Sequence, residues 1–242
     1  MANAWGLFKR IGQKKYDQLK DSYQTGATVR IDKDLPLGLR INGMVEIPEV
    51  DFILGGDSLK VKHPGSSNVV VSYGSFPVGD SRVHRFYLDA QSLIYVLQII
   101  TDRQKVIEEC KLFMPYDEIY PDDWDFWLAE RDGYIGYEIF QTKDGVQYFR
   151  VWGSDENATV VSEDEQGNKI TRIQPFEFLE TLHLSSYGDQ TETVKYDSML
   201  YGRHANENVD EYLLVSAVNE RDGASVQIMV GIELQPSSIK VI

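Results

Sequence analysis

From Gly26 almost to Ile242 the chain consists of short β-branched and aromatic runs broken by Gly, Pro, Asn and Asp, the pattern of antiparallel strands joined by turns. The clearest case is the pair of runs 134–141 and 146–152, which flank Asp144-Gly145 and read as a hairpin. The same texture predicts strands at 28–31, 39–41, 44–47, 52–54, 58–62, 69–73, 83–88 and 93–100, then at 158–162, 169–173, 191–200, 212–219 and 225–234. Residues 93–100 are apolar on both sides, so periodicity leaves a buried helix open, while Ile94, Tyr95, Val96, Ile99 and Ile100 favour a strand. Residues 104–113 fit helix or strand, and Pro115 is expected to end that element. Short helices are expected at 122–129, where Pro121, Asp122 and Asp123 suit a helix start, and at 175–182. The expected fold is mainly β (α+β): antiparallel sheets or partly open barrels with an N-terminal amphipathic helix and one or two short helices.

Four segments follow from the pattern: an amphipathic helix at 1–25, a first β subdomain at 26–114, an acidic-aromatic connector at 115–131, and a second β subdomain at 132–242 packed on the first. In the first segment Trp5, Phe8, Ile11, Tyr16 and Leu19 share one broad helical side, with Lys9, Arg10 and Lys14 beside or opposite them. Gly6 and Gly12 weaken such a helix, so a surface is needed to hold it. Three surfaces are open to it: the β body, the groove of a protein partner, or an anionic membrane.

The 242 residues carry 38 Asp plus Glu against 24 Lys plus Arg, and a net charge of −14 repels a phosphate backbone, so nucleic acid is excluded as a partner class. Cys110 is the single cysteine, which rules out an intrachain disulfide and a Cys-rich zinc site and fits a reducing compartment. Neither a secretory h-region nor an apolar run of spanning length occurs, and the expected location is cytoplasmic, with peripheral contact at an inner membrane open.

The search for chemistry finds no P-loop, no Gly-x-Ser-x-Gly elbow and no metal-binding His spacing among His63, His84, His183 and His204. His84, between Arg82 and Arg85 on a strand, is expected on a solvated face, with an anion-binding edge as its functional alternative. Cys110 reads as a buried, inert thiol. Asp117, Glu118, Asp122, Asp123 and Asp125 are a candidate surface or hard-cation site, although helix-end electrostatics already accounts for Asp122 and Asp123. Trp124 and Trp127, three apart, are expected to anchor their helix in the core. No cofactor is expected.

Several local patterns in order resemble the YjfK-like bacterial family of unknown function: Pro36-Leu37-Gly38-Leu39-Arg40 with Gly43, Arg85-Phe86-Tyr87-Leu88-Asp89, Pro121 through Trp127-Leu128, and Tyr148-Phe149-Arg150-Val151-Trp152. The resemblance implies an association with envelope-stress systems built around phage-shock-protein-A-like membrane-remodelling proteins, and it supplies no catalytic residues. The leading expectation is therefore a non-enzymatic binding or adaptor protein. Its partner is a protein, with a phage-shock-protein-A-like one implied, engaged through Trp5, Phe8, Lys9, Arg10, Ile11 and Lys14. The rivals are a metal-assisted hydrolase whose carboxylates converge only in the fold, and a sugar-binding β module stacking on Trp124, Trp127 or Trp152.

Overall fold

The computed structural model describes residues 30–163, 166–220 and 223–242. In chain order these form β1 (Met44–Glu46), α1 (Val50–Gly55), β2 (Asn68–Val78), β3 (Ser81–Ala90), β4 (Leu93–Thr101), β5 (Ile107–Ile119) and α2 (Asp125–Leu128). There follow β6 (Ile139–Gln141), β7 (Gln147–Arg150), β8 (Thr159–Glu163), β9 (Lys169–Arg172), β10 (Phe176–His183), β11 (Thr191–His204), β12 (Asp210–Glu220), β13 (Gly223–Glu233) and β14 (Lys240–Val241). The N-terminal helix expected from Trp5, Phe8, Lys9, Arg10, Ile11 and Lys14 lies outside the described residues.

Two antiparallel meanders, β2-β3-β4-β5 and β10-β11-β12-β13, close into an eight-stranded barrel. They join last strand to last strand, β5 on β13, and first strand to first strand, β2 on β10. Exchanging the two meanders leaves this pairing scheme unchanged, so the topology has a two-fold logic with no matching sequence repeat. The first join runs from Val226↔Ile119 to Glu233↔Lys111, whereas the second consists only of Thr181↔Ser75, Leu182↔Gly74 and His183↔Tyr73. Beyond that short seam the two edges diverge: β1 and β14 extend the sheet from β2, and β7 and β6 extend it from the end of β11.

Both faces of the barrel wall are buried along β3, β4, β12 and β13, whereas β10 exposes its outer face. Alternation along the strands sends one set inward, including Phe76, Val83, Tyr87, Val96, Phe113, Phe178, Leu182, Tyr196, Leu200, Leu214 and Met229. The opposite set, including Phe86, Leu88, Leu97, Ile99, Leu112, Val215 and Val230, packs outward against Leu39, Ile41, Leu59, Val61, Trp127, Ile135, Phe140 and Tyr148. The segments before β2 and between β5 and β8 thus form a second layer on the barrel.

This layering explains several departures from the strand pattern. Residues 52–54 lie in α1, and 39–41 and 58–62 lie outside the strands, with Leu39, Ile41, Phe52, Leu59 and Val61 held as cover for the barrel wall instead of as ladder members. Pro115 does not end β5; it sits opposite Met229 beside the register shift at Ile228/Met229, where the ladder is already interrupted and its missing N–H is tolerated. The helix expected at 175–182 is instead β10, whose burial alternates residue by residue from Glu177 onward. The helix expected at 122–129 is the single turn α2, and residues 93–100 belong to β4.

Candidate functional site

The lumen of the barrel is more polar than its wall. Register aligns Arg85, Gln98 and Lys111 across β3, β4 and β5 on the inward face, and Ser198 and Ser216 across β11 and β12. All of these are buried. Ser198 and Ser216 bond each other at 2.7 Å, while Lys111 reaches Glu109 at 2.6 Å and stands 4.5 Å from the centre of the Tyr212 ring.

At the centre of this polar set is an ion pair spanning the short seam. Arg85 Nη1 donates to Glu180 Oε2 at 3.1 Å and its Nε donates to Gln98 Oε1 at 3.1 Å. Glu180 Oε1 accepts from the Tyr87 hydroxyl at 2.9 Å. Burial pushes the Glu180 carboxyl above the usual carboxylate range, and Arg85 and Tyr87 pull it back. The guanidinium stands 5.0 to 5.1 Å from the ring centres of Phe76, Phe178 and Tyr196. Such rings attract the cation and keep water from it. The carboxylate fits because β2 carries Gly74 at this point: a Cβ there stands 1.7 Å from Glu180 Oε1.

Above the pair, at the end of the barrel where β10 starts, is an open cavity of about 390 Å³. Phe76, Val83, Ile100 and Gln98 form its barrel side, and Trp152, Ile173, Pro175 and Phe176 form its rim. Trp152 is set there by the chain leaving β7, where the Val151 N–H donates to the Leu200 carbonyl at 2.8 Å and Gly153 turns with φ +96°. An aromatic ladder leads inward: Trp152 stands 6.3 Å from Phe176, Phe176 5.7 Å from Phe178, and Phe178 lies stacked 3.8 Å from Phe76. A mostly apolar pocket at a barrel mouth, with a few convergent polar groups at its base, is a common form of small-molecule site.

A second cavity, about 560 Å³, lies against the outer side of the β2–β3 turn. Its lining sets Asp34, Asp80 and Asp102 against Arg82, Arg103 and Lys105, so it favours neither sign of ligand. His84 is at its edge, and here the expectation of a solvated face is corrected: His84 is 8% exposed, with Nδ1 2.8 Å from the Tyr73 hydroxyl and Nε2 3.2 Å from Thr101 Oγ1. Pointing away from the lumen does not mean pointing into water when the outer wall is also covered.

The acidic candidates each take part in local structure or face solvent. Asp117 pairs with Lys143 at 3.0 Å, and Glu118 accepts from the Ser225 hydroxyl at 2.8 Å. Asp123 accepts from the N–H groups of Asp125 and Phe126 at the start of α2, and Asp122 and Asp125 are exposed. Among the described residues no three His, Cys, Asp or Glu side chains gather as a metal site. Trp127 is buried in the outer core with Trp124 packed against that core, while Trp152 lines the cavity at the barrel mouth. Cys110 is buried, and burial pushes its thiol up to about 12.

Sequence reasoning overlooked Arg85, Gln98 and Glu180 as site residues. The available signal was the alternation Phe176, Phe178, Glu180, Leu182, which places one carboxylate on an otherwise apolar inward face. No helix among the described residues is long and apolar enough to cross a membrane. Neither the curated proteins nor the solved structures contain a match to the chain. A family model described as a protein of unknown function, DUF2491, matches residues 7–240, and the chain belongs to that family.

Proposed function

We propose that this chain is a non-enzymatic binding protein whose barrel mouth takes up a small, mainly apolar molecule. The observation that carries this reading is the open aromatic cavity between Trp152, Phe176 and Phe76, whose volume of about 390 Å³ falls within the roughly 300–1,000 Å³ usual for small-molecule sites. The buried polar residue on its barrel side, Gln98, is held in place by Arg85 Nε at 3.1 Å, as suits holding a ligand in one orientation.

Titration of the full chain with a neutral fluorescent probe, N-phenyl-1-naphthylamine, tests it. Saturable binding at one site is expected, and Ile100→Trp, which fills the cavity from β4, abolishes it while the melting transition remains cooperative. Absence of saturable binding, or binding indifferent to I100W, refutes the reading.

The cellular setting we propose rests on the resemblance to YjfK-like proteins: an adaptor in bacterial envelope stress, working beside a phage-shock-protein-A-like partner at the inner membrane surface. Trp5, Phe8 and Ile11 would supply apolar contacts and Lys9, Arg10 and Lys14 electrostatic attraction. Deleting residues 1–20 is expected to abolish capture of that partner, or of anionic vesicles, with the melting transition unchanged. Retained capture by the truncated chain overturns this part, and so does unfolding of the truncated chain.

A further inference from the structure

We infer, on the reading of the barrel mouth as a binding site, that the molecule held there is a neutral carbonyl compound with an apolar body, and that its carbonyl oxygen accepts a hydrogen bond from the side-chain amide of Gln98.

Gln98 is 1% exposed and lines the mouth cavity from β4, one inward position beyond Ile100. Its amide is oriented by its neighbour. A guanidinium can only donate, so the atom that Arg85 Nε meets at 3.1 Å is the Gln98 oxygen, which leaves the NH₂ end uncommitted. Among the described residues nothing accepts from Gln98 Nε2, and this nitrogen is not one of the sealed, unpartnered polar atoms of the interior, so the trace of surface that Gln98 keeps includes it. Because Gln98 lines the cavity, that surface opens there. Two donor hydrogens in a nearly dry place call for an acceptor. A group entering between Trp152 and Phe76 and passing Ile100 meets the Gln98 amide at the far end of an apolar passage.

Charge decides what kind of oxygen fits. Among the described residues lining this cavity the charged one is Glu177, an anion at the rim, and no Lys or Arg lines it. A carboxylate or phosphate in the cavity would therefore leave water without a counter-charge and with a like charge at the entrance. A pure hydrocarbon fills the aromatic cup but leaves the Gln98 hydrogens unmet, and an amine brings donors to a donor. A ketone, ester or amide oxygen accepts from Nε2 without adding charge, while its apolar body lies on Phe76, Phe176 and Trp152. The expected ligands are thus compact aromatic or aliphatic molecules with one carbonyl at the leading end.

Calorimetric titration of the full chain with three ligands of one shape tests this: 2-acetylnaphthalene, 2-ethylnaphthalene and 2-naphthoate. The acetyl compound is expected to bind about fivefold more tightly than the ethyl compound, as befits a hydrogen bond between neutral groups, and more tightly than the naphthoate. Gln98→Glu keeps an oxygen for Arg85 Nε but replaces the donor with a second oxygen, so in Q98E the acetyl compound loses its advantage over the ethyl compound. Equal affinity of these two in the native chain, or an advantage kept in Q98E, overturns the role of Gln98 while leaving the mouth as a binding site. Tightest binding of the naphthoate overturns the requirement for neutrality. Failure of all three to bind the native chain overturns the mouth reading itself. Should Q98E not fold, the side-chain amide NMR signals of Gln98 in the native chain decide. A shift with the acetyl but not the ethyl compound supports the inference, and identical spectra refute it.

Discussion

Gly74→Ala adds a single methyl group to the one point on β2 where the fold has no room for it. The new Cβ stands 1.7 Å from Glu180 Oε1 and 2.6 Å from Cδ, so the carboxylate has to leave its place. In moving it loses Arg85 at 3.1 Å and Tyr87 at 2.9 Å, stranding a guanidinium that is 3% exposed. Breaking a buried pair from one side costs roughly 3–5 kcal/mol. For a chain of 242 residues, about 2–4 °C of melting temperature goes with each kcal/mol, so the expected drop is roughly 6–20 °C. Differential scanning calorimetry of G74A, E180A and G74A/E180A measures both the size and its origin. If the methyl acts through the carboxylate, it adds little in the E180A background, and the two costs are strongly non-additive. Additive costs, or a G74A melt within about 2 °C of native, refute the account of how the pair is seated.

Four further outcomes follow from the same geometry. Glu211 is fully buried and accepts from the Val61 N–H at 3.0 Å, the Tyr148 hydroxyl at 2.8 Å and Arg203 Nη2 at 2.6 Å, tying the outer layer to the barrel; E211A is expected to cost roughly 3–5 kcal/mol in urea unfolding. Burial, with Arg82 and Lys105 nearby, lowers the His84 pKa to about 4 from an ordinary value of 6.5. The folded protein thus binds this proton less readily than the unfolded chain, so the stability His84 contributes is complete above 6.5 and is lost as pH falls towards 4; H84Q is expected to flatten the urea-midpoint profile across that window. With its thiol pushed up to about 12 by burial, Cys110 is expected to resist a disulfide reagent at pH 8 in the native chain and to react at once in denaturant. R85M/E180M is expected to keep most of its stability yet exchange the Gly74 and Ser75 amide hydrogens faster than the native chain, read by hydrogen exchange with mass spectrometry.

The meanders were legible because their strands carry runs of β-branched and aromatic residues long enough to outweigh any rival period, as at Val69 to Tyr73 and Val83 to Leu88. β10 was not, because Pro175 imitates a helix start and Glu180 interrupts the apolar alternation at the position where the lumen needs charge. Arg85 was hidden for a related reason. Flanked by His84 and Phe86, it looks like an ordinary solvent-facing strand residue, and only barrel closure turns that face into an interior. The rim residues Trp152 and Phe176 are 24 positions apart in the chain and meet through the pairing of β7 with β11 and of β10 with β11, long-range facts that no local pattern encodes.

The placement of the ion pair connects these features. A strand register that slips by two residues keeps every side chain on its proper face, so hydrophobic alternation alone does not forbid it. The join of β5 to β13 resists such a slip through its length, from Val226↔Ile119 to Glu233↔Lys111. The join of β2 to β10, only three pairs long, has no such protection. What distinguishes its native register is that the Glu180 carboxylate lies over Gly74, the inward position on β2 with no side chain, and from there reaches Arg85 and Tyr87 on the next strand. Shifted by two in either direction, the carboxylate meets Ser72 or Phe76 instead and Arg85 loses its counter-charge. A buried pair used in this way adds little net stability but makes the wrong closures expensive.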